Sequence, residues 1–206
     1  MKIFLTGGSS GIGHALLHNL AWDHEIHSPE RSFCDLSDQP LVDFNGFDAL
    51  ILCAGSDLGG KTPFCSMLES DWRDTMQVNL LSNMSLIQQF VQSRQDQWAK
   101  IIVFGSTATH HIWPGMIPYG VAKLALESFC RALRQEIPAT LGISIIRPGL
   151  TRTGFNYRRW KGQLTLEQSQ QWYDSQPHLL PENFVEPVRQ ILDDRSHSIK
   201  EVTISL

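Results

Sequence analysis

Three polar side chains in the middle of the sequence have types and a spacing that suit proton transfer. Tyr119 and Lys123 lie four residues apart in YGVAK, and Ser106 stands thirteen residues before the tyrosine, at the end of KIIVFGS. Residues four apart share a face of a helix, so the lysine ammonium would lie near the phenol. A nearby positive charge favours the phenolate and lowers the phenol's pKa from about 10. Tyr119 would then act as general acid in a reduction and general base in an oxidation.

The tyrosine and lysine pair also has an ordinary interpretation, because such pairs are common on solvated faces of helices. The position of Ser106 argues for the catalytic interpretation, since it follows an apolar run that reads as a buried strand. Open α/β sheets bind their ligands at the carboxyl ends of parallel strands. The three residues together therefore predict an active site at that edge.

A glycine-rich turn, TGGSSGIG at residues 6–13, lies between the apolar run KIFL and the helix-prone HALLHNLAW. Gly7, Gly11 and Gly13 would let the backbone approach a phosphate group at the positive end of the following helix. The spacing G-x-x-x-G-x-G differs from the common G-x-G-x-x-G pattern, and a tight junction between strand and helix is the alternative. Its place after the first strand favours phosphate binding.

The elements that must position these residues alternate along the chain. Strands are predicted at 2–6, 24–28, 49–54, 100–105, 142–147 and 201–204, and helices at 11–22, 69–97, 118–136 and 182–193. Such alternation predicts a parallel sheet with helices on both faces. Too few residues separate the second strand from Asp35 for a crossover helix, which needs about a dozen. A third strand on that edge is therefore predicted to be reduced or missing.

Composition limits which binding partners and which cellular locations are expected. With 206 residues and 42% hydrophobic side chains, residues 1–206 are expected to form one domain. No apolar run reaches the roughly 18 residues of a membrane span, and the chain begins in a strand without a charged leader, so we expect neither membrane nor export. The four cysteines lack metal or redox spacing, which favours reduced thiols in the cytoplasm. A net charge of −4 argues against nucleic acid as a partner.

These motifs, in this order, resemble the short-chain dehydrogenase/reductase family. The resemblance runs from TGGSSGIG through CAG at 53–55, VN at 78–79, Ser106 and YGVAK to RPGLTRT at 147–153. It implies a three-layer, doubly wound Rossmann fold of the α/β class. It also implies transfer of a hydride between a nicotinamide dinucleotide and a small-molecule carbonyl or alcohol substrate.

The resemblance assigns roles residue by residue. Tyr119 corresponds to the catalytic acid/base, and Lys123 to the residue that tunes it and holds the nicotinamide ribose. Ser106 corresponds to the group that bonds the substrate oxygen, and Asn79 to the asparagine that holds a relay water. The residues that the resemblance implies for cofactor binding are Gly7, Ser9, Ser10, Gly11, Ile12, Gly13, Glu30, Arg31, Asp35, Leu36, Cys53, Ala54, Gly55, Asn79, Tyr119, Lys123, Pro148, Gly149, Thr151 and Thr153.

Cofactor preference depends on two neighbouring residues with opposite effects. Glu30 would bind ribose hydroxyls and repel the 2′-phosphate of NADP, whereas Arg31 would attract it. TGGSSGIG resembles the turn of reductases that use NADP, so we favour NADP over NAD. Cys53 departs from the family, which usually has an asparagine there, and we expect altered cofactor affinity as a result.

The segment 154–180 is the least family-like part of the chain and is expected to form a substrate lid. Its aromatic residues, Phe155, Tyr157, Trp160, Trp172 and Tyr173, would either line a pocket for an apolar or planar substrate or pack the lid onto the body. An acidic substrate would suit Arg152, Arg158 and Arg159, although exposed arginines are common. His110 and His111 have no third ligand beside them, so no metal site is expected.

Helices 69–97 and 118–136 carry Met84, Phe90, Leu126 and Phe129, which predict a homodimer or homotetramer unless these residues belong to the core.

Other functions stay open. A dinucleotide-sensing protein would bind without turnover, but such proteins tend to lose the four catalytic residues. A sugar-nucleotide epimerase or dehydratase would need a larger substrate domain after Thr153. A structural or signalling role of the oligomer is a further alternative.

Overall fold

The computed structural model of the chain describes residues 1–94, 97–160 and 163–206. In that part of the chain six strands form one sheet: β1 (Lys2–Thr6), β2 (Glu25–His27), β3 (Ala49–Leu52), β4 (Ala99–Phe104), β5 (Leu141–Pro148) and β6 (Glu201–Ile204). Their order across the sheet is β2-β1-β3-β4-β5-β6, and every neighbouring pair is parallel. All six predicted strands are confirmed, with ends that differ by at most two residues.

Seven α-helices are described: α1 (Gly11–Leu20), α2 (Glu69–Met76), α3 (Ser82–Gln92), α4 (Ile117–Leu133), α5 (Gly154–Arg159), α6 (Leu166–Asp174) and α7 (Val185–Asp193). A π-helical turn, Gln77–Leu81, joins α2 to α3. The helix predicted at 69–97 thus contains a π turn and ends at Gln92, and residues 95 and 96 of that prediction lie outside the described residues. The sequence did not predict α5 and α6 as helices.

The helices form two outer layers, which confirms the three-layer α/β arrangement. On one face α1 and α7 pack against each other and the sheet; on the other face α3 and α4 pack against the sheet, and α2 packs against α4. The central strands β3 and β4 are fully buried along their length because helices cover both of their faces. Each buried leucine or isoleucine there contributes roughly 1.5–3 kcal/mol to stability.

The missing strand at the sheet edge is confirmed: residues 28–48 contain no strand. Aromatic side chains pack over one face of β1 instead. Phe44 is 1% exposed, and its ring packs edge-on against the rings of Phe4, Phe47 and Phe90 at centroid distances of 5.1, 6.3 and 5.4 Å. Contacts of this geometry add stability beyond the buried area. The edge is therefore closed by side-chain packing without a crossover helix.

The residues predicted for subunit contact do not all lie at the surface. Phe90 and Leu126 are fully buried and belong to the core, so this part of the prediction is wrong. Their helical periodicity places them on the inner faces of α3 and α4 rather than the outer ones. Met84 and Phe129 are partly buried against the same core.

No helix in the described ranges is long and apolar enough to span a bilayer.

Candidate active site

A long cleft of about 1460 Å³ runs along the carboxyl edge of the sheet. Because all strands are parallel, the loops after β1, β3, β4 and β5 meet at this edge. These loops carry the glycine-rich turn, CAG, Ser106 and the Pro148–Gly149 pair respectively. The cleft therefore receives most of the sequence motifs from separate parts of the chain.

The glycine-rich turn brings backbone close to backbone at the start of α1. Gly7 and Gly11 adopt left-handed conformations, with φ of +81° and +56°. A Cβ atom at Gly13 would lie 2.2 Å from the carbonyl oxygen of Gly7, and one at Gly7 would lie 2.8 Å from the nitrogen of Ala54. Side chains are therefore excluded here. The turn and the amino end of α1 form an open cradle of the kind that binds phosphate groups.

Charged residues lie at the far end of the cleft, beside the open sheet edge. The Asp35 carboxylate accepts hydrogen bonds from the Ser37 nitrogen at 2.9 Å and the Ser37 hydroxyl at 2.7 Å. These bonds, with Arg31 at 3.3 Å, hold the pKa of Asp35 below its usual value. Glu30 and Arg31 are both exposed and both line the cleft with Leu36. The adenosine end expected from the sequence thus keeps both of its competing charges.

Tyr119 lies in the first turn of α4, which begins beside Pro118 as predicted. The tyrosine is 8% exposed, and burial raises the pKa of its phenol to about 12, although a side-chain hydrogen bond with Ser106 opposes that rise. We expected a pKa below 10, and this expectation is wrong for the ligand-free protein. Desolvation outweighs the hydrogen bond because the ring is enclosed by protein.

Lys123 lies one helical turn beyond Tyr119 and is 3% exposed. Its Nζ atom donates a hydrogen bond of 2.8 Å to the carbonyl oxygen of Phe104 and lies 5.9 Å from the centre of the Tyr119 ring. Burial lowers the pKa of the lysine to about 8, while the charges of Cys53 and Glu127 act in the opposite direction. The two side chains share one face of α4, as their spacing predicted.

Asn79 occupies the π turn and is fully buried. Its Nδ2 atom donates to the carbonyl oxygens of Ser56 and Thr75 at 2.5 and 2.8 Å, and its Oδ1 atom accepts from the Ser56 nitrogen at 3.2 Å. Asn79 itself does not line the cleft. A Cβ at Gly55 would lie 2.8 Å from Asn79 Oδ1 and 3.4 Å from Lys123 Nζ. The asparagine and the lysine therefore both lie against Gly55.

Cys53 stands where the family resemblance implies an asparagine. Its thiol accepts a hydrogen bond from the Gly13 backbone, and burial raises the pKa of the thiol to about 12. The backbone nitrogens of Cys53 and Ala54 both donate to the Thr6 hydroxyl at 3.2 Å. The loop after β3 is therefore fixed to the glycine-rich turn and β1 without the asparagine.

The loop after β5 turns from the sheet into the lid. Thr151 Oγ1 donates to the Gly149 carbonyl at 3.0 Å, and Thr153 caps α5 by accepting from the Phe155 nitrogen at 3.2 Å. A Cβ at Gly11 would lie 3.1 Å from the Thr153 methyl group. This contact brings the start of the lid against the glycine-rich turn and closes the middle of the cleft.

The predicted site residues largely share one surface. Apart from Asn79, every residue predicted for catalysis or cofactor binding lines the cleft. Asp57, Lys61 and Met116 also line it and were not predicted. Asp57 lies two residues after CAG, in the loop that follows the buried strand β3. This position could have marked it as a residue of the cleft. His110 and His111 are exposed outside the cleft lining, and the described residues contain no cluster of three metal-ligating side chains.

Aromatic residues of the segment predicted to form a lid line the cleft and also contact other rings. Phe155, Trp160, Trp172 and Tyr173 line the cleft, whereas Tyr157 does not. The Phe155 ring lies 5.2 Å from the Tyr119 ring, and Trp160 packs edge-on against Trp172 at 5.2 Å. Of the predicted segment 154–180, residues 161 and 162 lie outside the described residues.

The three arginines of the lid segment differ sharply in their surroundings. Arg152 is outside the cleft lining and pairs with Asp174 at 2.8 Å. Arg158 is exposed where it lines the cleft. Arg159 is buried, and its Nε atom donates to Asp57 Oδ2 at 2.6 Å. One arginine of the three therefore belongs to the interior of the cleft.

Comparisons with known proteins agree with this architecture. The 3-oxoacyl-(acyl-carrier-protein) reductase of Buchnera aphidicola is 32% identical over 105 residues, which cover 48% of this chain and 42% of that protein. An uncharacterised oxidoreductase of Mycobacterium tuberculosis is 28% identical over 187 residues, covering 73% of this chain and 55% of the other. The chain thus spans about half the length of these curated relatives.

Solved structures of low sequence identity share the fold over nearly the whole chain. A small-chain dehydrogenase in complex with NADPH superposes with a TM-score of 0.84 at 16% identity, over 100% of this chain and 96% of that one. The closed form of a serine dehydrogenase complexed with NADP+ gives 0.82 at 21% identity, over 99% and 94%. The model of the short chain dehydrogenase family matches residues 21–163. The chain therefore belongs to the short-chain dehydrogenase/reductase family.

Proposed function

We propose that the protein is an NAD(P)-dependent oxidoreductase that interconverts a small-molecule carbonyl compound and the corresponding alcohol. The observation that carries this proposal is the convergence of Ser106, Tyr119 and Lys123 on a cleft whose other wall is the glycine-rich turn. A proton donor and a dinucleotide cradle in one cleft are the two parts that this reaction requires. Family membership and the NADP- and NADPH-bound structures of similar fold support it.

The cleft fits a dinucleotide from end to end. The glycine-rich turn and the amino end of α1 would hold the pyrophosphate, because side chains are excluded there. Arg31 and Asp35 would contact the adenosine part, and Pro148, Gly149 and Thr153 the nicotinamide part. When bound, the nicotinamide supplies the hydride for reduction or accepts it in oxidation, chemistry that no side chain provides.

The chain's own residues handle the proton. In the reduction, the carbonyl carbon gains a hydride and its oxygen gains the Tyr119 proton, so the C=O double bond becomes C–O with new C–H and O–H bonds. The raised pKa of Tyr119 keeps the phenol protonated at neutral pH, which is the state that a proton donor needs. Ser106 would orient the substrate oxygen, and Lys123 would stabilise the phenolate that forms.

NADP is the cofactor that we propose in preference to NAD. Arg31 is 78% exposed along its side chain, and only one edge of its guanidinium is occupied by Asp35 among the described contacts. The free N–H groups would bind a 2′-phosphate. Two similar structures are described with NADP+ or NADPH, whereas a 4-hydroxyisoleucine dehydrogenase of similar fold is described with NADH.

We also propose a homodimer or homotetramer and a cytoplasmic location. The outer faces of the π turn and α4 expose Leu81, Val121 and Leu124 by 46, 42 and 42%, and paired copies would bury these side chains. All four cysteines are free thiols, which suits a reducing compartment.

The experiment that tests the proposed function follows the absorbance of NADPH and NADH with a panel of ketones, aldehydes, quinones and oxo acids. The proposal predicts that at least one carbonyl compound is reduced, and that calorimetry detects dinucleotide binding without substrate. Dinucleotide binding with no turnover of any compound would favour the sensor alternative. Absence of dinucleotide binding would contradict the proposal.

A further inference from the structure

We propose that the substrate carries a carboxylate group and that Arg159, assisted by Lys61, binds it at the lid end of the cleft. The inference rests on the proposed function, because it specifies the class of carbonyl compound: a small oxo acid, or the hydroxy acid formed from it. The carboxylate is bound and stays chemically unchanged.

The starting observation is a charged pair buried in a substrate cleft. Arg159 and Asp57 side chains are 10% and 0% exposed, and the bond between Nε and Oδ2 is 2.6 Å long. Burying such a pair has a large desolvation cost, which the pair's own attraction often fails to recover. The buried ion pair in this cleft therefore suggests a functional role in addition to any contribution to the stability of the fold.

The guanidinium of Arg159 keeps hydrogen-bond donors for a ligand. Arginine has five N–H groups, and the bond to Asp57 occupies the one on Nε. Within the three described ranges, the terminal nitrogens of Arg159 form no hydrogen bond. Since the residue lines the cleft, these donors are available to a planar carboxylate, which arginine binds through two parallel bonds.

A second cation lies beside the first. Lys61 lines the same part of the cleft, and its Nζ atom lies 4.4 Å from the centre of the Trp160 ring. Burial and the positive charge of Arg159 both lower the pKa of Lys61, so the two cations lie close enough to repel each other. An anion between them would relieve that repulsion.

The charge balance favours a single negative charge on the ligand. Arg158 adds a positive charge at the exposed rim of the cleft, and Asp74 on α2 adds a negative one. Among the described residues around Arg159, these two groups together with Lys61, Arg159 and Asp57 sum to one net positive charge. A monoanionic carboxylate neutralises it.

The anion site lies close to the proton donor. The charges of Asp57 and Arg159 both act on the phenol of Tyr119, and Phe155 in the same helix as Arg159 contacts the tyrosine ring at 5.2 Å. Phe155 and Arg159 are four residues apart in α5 and therefore share a face of that helix. A substrate that reaches both groups therefore has its carboxylate a few bonds from the carbonyl carbon.

The first experiment compares 2-, 3- and 4-oxo acids with their methyl esters, which have the same carbonyl but no charge. We expect wild-type kcat/KM to favour the best acid over its ester by about tenfold or more. Arg159→Gln should lower kcat/KM for the acid by about 10- to 100-fold, since it removes a charge-assisted bond, and should change the ester by less than about threefold. Arg152→Gln, whose charge pairs with Asp174 outside the cleft lining, is the matched control and should change neither.

Two further variants separate anion binding from support of the lid, because Arg159→Gln leaves Asp57 buried without its arginine. Asp57→Asn with Arg159→Gln removes both charges of the pair and should lose the acid preference as the single variant does. Asp57→Asn alone keeps Arg159 and should keep or increase the preference for the acid. Equal losses for acid and ester in all three variants would mean that the pair only holds the lid, and would overturn the proposal.

Calorimetry tests the anion site without turnover. The hydroxy acids should bind wild-type protein in the presence of reduced dinucleotide, a pair that cannot react, and Arg159→Gln should weaken that binding by about tenfold or more. An ester preference in wild type, or acid binding that is unchanged in Arg159→Gln, would overturn the proposal. Failure of the proposed function gives a different result, since then neither acids nor esters are reduced.

Discussion

The Nζ atom of Lys123 donates a hydrogen bond of 2.8 Å to the carbonyl oxygen of Phe104, the last residue of β4. The bond ties the first half of α4 to the edge of the sheet where the cleft lies. It also fixes the ammonium 5.9 Å from the centre of the Tyr119 ring. A lysine held in this way is a fixed positive charge in a poorly solvated place, and its titration should be measurable.

The first prediction concerns the pH dependence of stability in ligand-free protein. The pKa of Lys123 falls from 10.5 when unfolded to about 8 when folded, so between these values the unfolded chain binds more protons. The contribution of Lys123 to the free energy of unfolding should therefore rise with pH by up to about 1.4 kcal/mol per pH unit between pH 8 and 10.5. Buried Cys53 and Tyr119, whose pKa values are raised, act in the opposite direction in both proteins, so urea unfolding at pH 7.5, 8.5 and 9.5 should show wild type gaining stability relative to Lys123→Met. Parallel curves for the two proteins would contradict it.

The second prediction concerns the choice of cofactor. Arg31→Gln should raise the Kd of NADP by about tenfold and leave that of NAD nearly unchanged, because only NADP carries the 2′-phosphate. Glu30→Gln is the matched control at the neighbouring exposed position and should strengthen NADP binding while weakening NAD binding. Calorimetric titration measures all four constants. Equal effects of Arg31→Gln on both dinucleotides would show that the arginine does not select the cofactor.

The third prediction concerns the glycine-rich turn. In Gly13→Ala, the new Cβ would meet the Gly7 carbonyl oxygen at 2.2 Å, so the turn must shift and dinucleotide binding should weaken by at least tenfold. Gly46→Ala provides the comparison. Gly46 has φ of +80° with no atom within 4 Å of a new Cβ, so its variant should lose about 1 kcal/mol of stability and keep its affinity for the dinucleotide. Unchanged affinity in Gly13→Ala would contradict the cradle that we describe.

The sequence predicted most of the fold because its signals are local. The four inner strands follow from apolar runs and the edge strands β2 and β6 from short segments that alternate with the helices, and the absent strand between β2 and β3 follows from the shortness of residues 28–48. The π turn at Gln77–Leu81 was not predicted, because a single wide turn inside a helix has no characteristic residue types that mark it in the sequence. The aromatic cluster around Phe44 was equally hidden, because its rings come from three separate parts of the chain: β1, the loop before β3 and α3.

The site was predictable where a motif marks it and not where it depends on packing. Tyr119, Lys123 and Ser106 stand at recognisable spacings, and the structure brings them to one cleft. The raised pKa of Tyr119 depends on how tightly the ring is enclosed, which spacing does not reveal. The pairing of Asp57 with Arg159 joins residues that are 102 positions apart, so no local pattern announces it.

The fourth prediction concerns assembly. Leu124→Glu should shift the protein towards the monomer in sedimentation velocity, because a carboxylate on the outer face of α4 would be buried in the proposed subunit contact. Leu41→Glu, a substitution at a leucine that is 89% exposed and distant from α4 in the chain, is the control and should leave the oligomeric state unchanged. A wild-type protein that sediments as a monomer would contradict the proposed oligomer.

The measurement that tests the central claim most directly compares wild type with Tyr119→Phe, a change that removes one hydroxyl group from an enclosed ring. With the best carbonyl substrate, we predict a decrease in kcat of about 100-fold or more, the usual scale for losing a general acid. The Kd of the dinucleotide should change by less than about threefold, which shows that the cleft is intact. Wild-type turnover in the Tyr119→Phe protein would mean that the phenol is not the proton donor.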